Sequence, residues 1–347
     1  FIKKSKYCSK IKTGTRISNL MHTSNLYNQV LLEPLQNKAN KLLIVSGYAT
    51  AAMAFHHMNA LKESRLKLQI ELLVGMTAKD GISESNHKGL QYLMEHTFKG
   101  NFACSYVATY PPIHSKVYAW LRDDEPLYGS VGSANYTQTA FIGTQRECVT
   151  EAPATECFEY FKSLIPDSIY CTHMDVANLL QIYKEEASAR LKKQKKVSAE
   201  ENVPEKDLVL TGLNHVKVSL LDRSGNLPSR SGLNWEQRPE QHREPNQAYI
   251  KLTSDIYRTD FFPERTVHFT IQTDDDKILI ATRAQDNGKA IHTPHNNSLI
   301  GEYFRNRLGV GSGALVTKQD LVRYGRTDIN FYKIDDETFY MDFSSKK

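Results

Sequence analysis

The chain has 347 residues, 40% hydrophobic and 24% charged, with a formal net charge of +5. This balance excludes a wholly disordered chain, and the length allows two domains, each with its own core. Five cysteines without a C-x-x-C pair argue against a disulfide framework or a thiolate zinc site. No apolar run approaches the roughly 18 residues of a membrane span.

A reducing, cytoplasmic setting is therefore expected. The lysine-rich opening "FIKKSKYCSKIK" lacks the long apolar stretch of a signal peptide. The mild positive charge permits an anionic partner without requiring one.

In chain order, "LLIVSG" and "LQIELLVG" read as buried strands separated by the helical pattern "ATAAMAFHHMNALKES". "NHKGLQYLMEH" follows as a helix, then "FACSYVAT" and "IHSKVYAW" as strands, a further strand at about 127–131, and "RECVTE" as the next. This alternation predicts an α/β layered domain over residues 1–200. From about Thr155 the pattern turns helical and runs into "YKEEASARLKKQKKVSAEENVPEKD", read as a helix leading into a linker with the boundary near 200. A solvated surface helix within one domain is the other reading of that segment.

Beyond it, "VKVSLLDRSGNLP", "VHFTIQTDDDKILIATRA" and "NFYKIDDETFYMDF" each place alternating apolar residues around a turn and predict hairpins. Two helices interrupt them: "SLIGEYFRNRLG", stopped by Gly309, and "TKQDLVRYG", with Thr317 as N-cap and Gly325 as stop. Residues 201–347 are thus expected to form an all-β, barrel-like domain. "DDD" at 274–276 mimics a magnesium site but sits between two alternating strands, where a hairpin turn is the stronger reading.

The chemistry-bearing residues are few. In a strand, positions i and i+2 share a face, so His114 and Lys116 of "IHSKVYAW" would project side by side. A neutral imidazole can attack phosphorus, and an ammonium can neutralise a nonbridging phosphate oxygen. Ser133 and Asn135 of "GSANYT" add hydroxyl and amide donors for the same oxygens, so fixed donors replace a cation. H-x-K alone also fits a solvated surface strand; the downstream G-S-x-N turn favours a site.

Together, "IHSKVYAWLRDDEPLYGSVGSANYT" resembles the H-x-K…G-S-x-N signature of the phospholipase D superfamily, particularly its bacterial nucleases. The resemblance implies that His114 attacks the phosphodiester to form a phosphohistidine while a second histidine protonates the leaving oxygen. It also implies that Glu147 orients the catalytic ring, although a strand-end salt bridge is an equal reading of that carboxylate. One position departs from the family pattern: Leu121 stands where an aspartate is usual. Only one H-x-K of this context occurs, because "HVK" at His215 has no Ser-Asn turn after it. A mechanism needing two histidines therefore predicts a homodimer with one shared centre.

In the second half, "SGLNWEQRPEQHREPNQAYI" and "ATRAQDNGKAIHTPHNNS" are too polar to be core. Arg and Lys suit guanine acceptors, and Asn and Gln suit adenine, although solvated loops have the same composition. "REPNQAYI", "NGKAIHTP", "GEYFRNRLG" and the final hairpin resemble the C-terminal domain of NgoFVII-type restriction endonucleases. That resemblance implies a DNA-binding pseudobarrel similar to the B-three domain of plant transcription factors, with two arms entering the major groove of double-stranded DNA. The arms match roughly residues 234–247 and 283–292. Expected contacts are Trp235, Gln237, Arg238, Arg243, Asn246, Arg283, Gln285, Asn287 and Lys289; Trp235 could equally anchor its arm. Some relatives work beside a separate helicase-like NTPase, and the sequence has no G-x-x-x-x-G-K-[ST] loop of its own.

The leading expectation is a bacterial, sequence-specific restriction endonuclease with a metal-independent centre and no cofactor. A lipid phosphodiesterase and a catalytically inactive DNA-binding protein are the alternatives.

Overall fold

The computed structural model describes residues 21–64, 68–143, 145–185 and 214–345. The expected linker and the boundary near 200 lie outside the described residues.

The first half contains β1 (Met21–His22), β2 (Lys41–Ser46), β3 (Gln69–Val74), β4 (Ile82–Ser83), β5 (Phe102–Val107), β6 (Val117–Arg122), β7 (Glu125–Gly132), β8 (Val149–Ala152), β9 (Ser168–Tyr170) and β10 (Ile182–Tyr183). Eight of these form one mixed sheet in the order β1-β8-β7-β6-β2-β3-β5-β9. β2, β3 and β5 run parallel, and β6, β7 and β8 continue from β2 as antiparallel neighbours.

Layers on both faces explain why the central strands read as unbroken apolar runs. Leu42, Ile44, Tyr118 and Trp120 pack into the core formed with helices Ala51–Glu63 and Glu84–Tyr92. Leu43, Val45, Val117 and Ala119 pack on the other face against Cys157, Phe161 and Leu164 of helix Ala154–Leu164.

The second half contains β11 (His215–Ser219), β12 (Ile250–Lys251), β13 (His268–Thr273), β14 (Ile278–Ala284), β15 (Ala290–His292), β16 (Asp328–Lys333) and β17 (Thr338–Asp342). They form a barrel-like sheet in the order β11-β16-β17-β13-β14-β15-β12, nearly closed around a core that includes Phe262, Phe269, Phe331 and Phe339. The β13–β14 and β16–β17 hairpins follow the predicted pattern. The predicted "VKVSLLDRSGNLP" hairpin does not form: β11 pairs with β16, and Asp222 instead closes a turn, accepting from the amides of Ser224 and Asn226 at 2.9 Å each. The alternation there reflects a strand at the sheet edge, not two strands facing each other. Thr317 caps helix Lys318–Tyr324 with a capping box, and Gly309 and Gly325 end their helices as predicted. Asp274 of the "DDD" turn receives both ends of the Arg307 guanidinium, at 3.0 and 2.7 Å.

The two halves meet through polar contacts that the sequence does not advertise. Gln138 donates from Nε2 to the His268 carbonyl at 2.6 Å and accepts from the His268 amide at 3.0 Å. Buried Glu337 accepts from Thr50 Oγ1 at 2.5 Å and from the Thr139 amide at 3.0 Å. Next to them the Nδ1 atoms of His56 and His268 lie 3.0 Å apart. Burial holds these rings at about 4 and about 3, against roughly 6.5 in an unfolded chain.

The native rings are depressed, so the unfolded chain binds more protons as pH falls from about 6.5 towards 4. Stability is full above that window and is lost within it. The urea midpoint should therefore drop between pH 7 and pH 5, and His268→Gln should flatten part of the drop. An equal slope in the variant would contradict the assignment.

Candidate active site and nucleic-acid interface

All the predicted catalytic side chains gather at one end of the first sheet, for a topological reason. Val45 of β2 pairs with Val117 of β6, Val117 pairs with Val131 of β7, and Gly132 pairs with Val149 of β8. The exit of β2, the entry of β6, the exit of β7 and the entry of β8 therefore fall side by side. His114 and Lys116 lie just before β6 rather than within it, in an extended lead-in. Lys116 is buried and His114 exposed. Lys116 Nζ reaches His114 Nε2 at 3.1 Å and donates to the His114 carbonyl at 2.7 Å, so the two groups converge as the i, i+2 spacing predicts.

The turn after β7 supplies the other donors. Buried Tyr118 donates to the Ala134 carbonyl at 2.7 Å, tying the turn to β6 between Ser133 and Asn135. Ser133 Oγ donates to Glu147 and accepts from the Cys148 amide at 3.1 Å. Asn135 Oδ1 accepts from the Tyr48 amide at 3.1 Å, which orients the amide and leaves Nδ2 as its donor end.

Glu147 is buried, and its hydrogen bond goes to Ser133, not to the ring of His114 as expected. Its entry position on β8 places it beside the serine turn, and its charge also acts on Lys116. Burial lowers the Lys116 pKa from the usual lysine range, and the Glu147 carboxylate pulls it back up.

Sequence reasoning missed the contribution of β2. Ser46 Oγ accepts from the Tyr136 amide at 2.8 Å and donates to the Tyr48 carbonyl at 2.6 Å, joining the β2 exit to the serine-asparagine turn. A Cβ on Gly47 would meet His114 Cδ2 at 3.1 Å and Asn135 Oδ1 at 3.4 Å. A Cβ on Gly75 would lie 2.1 Å from the Ile113 carbonyl oxygen, a backbone atom that cannot yield. Both glycines make room for the histidine segment. The signal in the sequence was a glycine within two positions of the end of each apolar run, in "LLIVSG" and "LQIELLVG".

The predicted DNA contacts divide into two sets. β12 and β15 are antiparallel, with Ile250 opposite Ile291 and Lys251 opposite Ala290. The 234–247 and 283–292 segments therefore leave opposite ends of one short ladder. In the first segment, the Arg243 guanidinium lies over the Trp235 ring at 3.8 Å, and Trp235 packs edge-on against Tyr249. Trp235 thus packs between Arg243 and Tyr249. Gln237 donates to the Gly313 carbonyl at 2.8 Å and Arg238 to the Arg230 carbonyl at 2.9 Å. Asn246 is buried and clamps the neighbouring loop, donating to Ser312 Oγ at 2.8 Å and accepting from the Gly313 amide at 2.8 Å.

In the second segment Arg283 is buried too. It donates to the carbonyls of Gly288 at 2.9 Å, Asn287 at 3.1 Å and Tyr257. Asn246 and Arg283, expected among the DNA contacts, thus turn their side chains inward on the two arms. Their side chains satisfy loop backbone that would otherwise be unpaired. Gln285 and Asn287 are exposed at the arm tip and Lys289 is half-buried beside them.

A histidine and a lysine beside a serine-asparagine turn at a sheet end, with a barrel carrying two polar arms, fit a phospholipase D-like domain coupled to a DNA-binding domain. Residues 24–178 match the NgoFVII restriction endonuclease N-terminal PLD domain, and residues 208–335 match the NgoFVII C-terminal B3-like DNA-binding domain. The chain belongs to the NgoFVII restriction endonuclease family.

Among solved structures, NucT from Helicobacter pylori is 14% identical, covers 43% of this chain and 96% of its own, and superposes with a TM-score of 0.30. The phospholipase D family member Nuc from Salmonella typhimurium is 13% identical over 38% of this chain and 82% of its own, with a TM-score of 0.28. The phosphatidylserine synthase of Haemophilus influenzae Rd KW20 is 16% identical over 51% of this chain and 43% of its own, with a TM-score of 0.33. No curated protein matches the chain. Among the described residues, no helix is long and apolar enough to cross a membrane.

Proposed function

We propose that the protein is a sequence-specific restriction endonuclease that cuts double-stranded DNA through a phosphohistidine in a centre shared by two copies. The observation that carries the reading is the convergence of Lys116 Nζ on His114 Nε2 at 3.1 Å, at the sheet end that also holds Ser133 and Asn135. Nε2 attacks phosphorus and forms a P–N bond while the P–O bond to the leaving deoxyribose oxygen breaks. That oxygen takes a proton from the matching histidine of the second copy. Water then attacks the phosphohistidine, giving its proton back to that histidine and releasing His114. Lys116, Asn135 Nδ2 and Ser133 hold the nonbridging oxygens as charge builds on them.

Glu147 acts in this reading on the cationic and serine side of the pocket, holding Ser133 and keeping Lys116 charged despite its burial.

Two features support a second copy. The histidine packed against the serine-asparagine turn from within the same chain, His57, is committed elsewhere. His57 is fully buried between Tyr136 Oη at 3.0 Å and the Leu31 carbonyl at 3.1 Å, and burial holds its pKa at about 3. A surface recess lined by Met21, Lys116, Val131, Cys148 and Thr150 also adjoins the centre and leaves apolar atoms open.

On the barrel, Gln285, Asn287 and Lys289 form the DNA-facing tip of one arm. Arg238 and Arg243 form the cationic face of the other, held in place by Trp235 and Gln237. The deciding experiment is incubation of supercoiled plasmid with EDTA present. Discrete fragments are expected, and cutting that occurs only after magnesium is added would overturn the proposed centre.

A further inference from the structure

We propose that Tyr48 is a substrate-positioning residue whose ring stacks on the nucleotide next to the scissile phosphate. The inference rests on the phosphodiesterase reading and adds to it a contact that none of the signature residues makes. Tyr48 directly follows Gly47 at the exit of β2, so its backbone belongs to the floor of the site. Its amide donates to Asn135 Oδ1 at 3.1 Å and its carbonyl accepts from Ser46 Oγ at 2.6 Å. At the other end its phenol donates to Asp80 Oδ2 at 2.6 Å. The ring between these anchors lies 6.0 Å from the His114 ring, centroid to centroid, with the planes at 78°.

Despite this tethering, Tyr48 remains 42% exposed, whereas Tyr118 and Tyr136, which frame the same turn, are fully buried. A core tyrosine would bury its ring, and a surface tyrosine would not be fixed at both ends. A flat apolar face held rigid at the mouth of a phosphodiester site has little rotamer freedom left to lose when a base or sugar settles on it. The hydrogen bond to Asp80 pushes the Tyr48 phenol up to about 12, so the ring stays neutral towards a polyanion at working pH.

Stacking on an aromatic face is tolerant of base identity, because every base has a π face. The division of labour follows from that chemistry: the arms of the barrel read the sequence, and Tyr48 seats whichever nucleotide flanks the cut.

The test uses the full-length protein and a DNA duplex containing a mapped cleavage site. The same duplex is also made with an abasic residue on one or the other side of the cut. Tyr48→Leu should lower cleavage of the intact duplex about ten-fold, mainly through KM. Tyr48→Phe and Tyr48→Trp should retain most of it. For the abasic residue on the stacked side, abasic substitution alone should cost a similar factor, and Tyr48→Leu should cost nothing further. Losses that multiply for abasic residues on both sides would mean that Tyr48 only supports the fold, and would overturn the proposal, as would full activity of Tyr48→Leu. The nuclease reading is tested one step earlier, when the cut is mapped: a wild-type protein that yields no cleavage site to map would refute that reading, and this inference with it.

Discussion

Replacing His114 by alanine should reduce plasmid cleavage by at least roughly 10³-fold, the scale expected when a covalent nucleophile is removed, while binding to the cognate duplex persists. The separation is expected because the proposed function places the two tasks on different sheets. His114 is exposed at the end of the first sheet, and its side chain supports no hydrophobic core. The arms are braced within the second sheet by Asn246, Arg283 and Arg305. Gel-shift affinity measured beside plasmid cutting makes the comparison. Retained cutting would end the role assigned to His114, and joint loss of cutting and binding would show that the residue supports the fold instead. Since each chain carries one such histidine, the active species should also sediment as a dimer; a strictly monomeric active enzyme would contradict the shared centre.

The second large effect is on stability. Arg305 on helix Ser298–Leu308 pairs with Glu236 at the base of the first arm, and their side chains are only 1% and 4% exposed. Arg305 also donates to the Ala314 carbonyl at 3.0 Å and the Gly301 carbonyl at 3.3 Å, binding the helix, the arm and the 311–316 loop together. Removing the cation alone leaves a buried carboxylate without its counter-charge, which costs about 3–5 kcal/mol. Arg305→Met should therefore lower the melting temperature by on the order of 10 °C or more. Adding Glu236→Leu should recover much of that loss, because the buried charge is then gone. The measurement is thermal unfolding of the single and double variants. A double variant no more stable than Arg305→Met would assign the cost to the lost carbonyl contacts instead.

Some of this was legible residue by residue. The apolar runs of β2, β3 and β5 and the turn chemistry of the β13–β14 and β16–β17 hairpins are local signals. So are the helix stops at Gly309 and Gly325 and the capping role of Thr317. Pairing was less legible: "VKVSLLDRSGNLP" has a hairpin's alternation, yet β11 takes its partner from β16, more than a hundred positions away in the chain. Periodicity reports which face of a strand is buried and says nothing of which strand lies beside it.

By itself the sequence determined the chemistry on offer: one H-x-K followed by a G-S-x-N turn, and two polar segments in a strand-rich half, whose residue types follow from what each side chain can donate or accept. Only the tertiary structure decided how these are used. Antiparallel pairing of β2, β6, β7 and β8 brought their ends into one site and added Gly47, Tyr48 and Ser46 to it. It also turned Glu147 towards Ser133 and buried Arg283 and Asn246 among backbone carbonyls and amides. The physical reason is that burial and partner choice arise from contacts between residues far apart in the chain. An arginine that reads a base and one that props up a loop therefore look alike until the chain is folded.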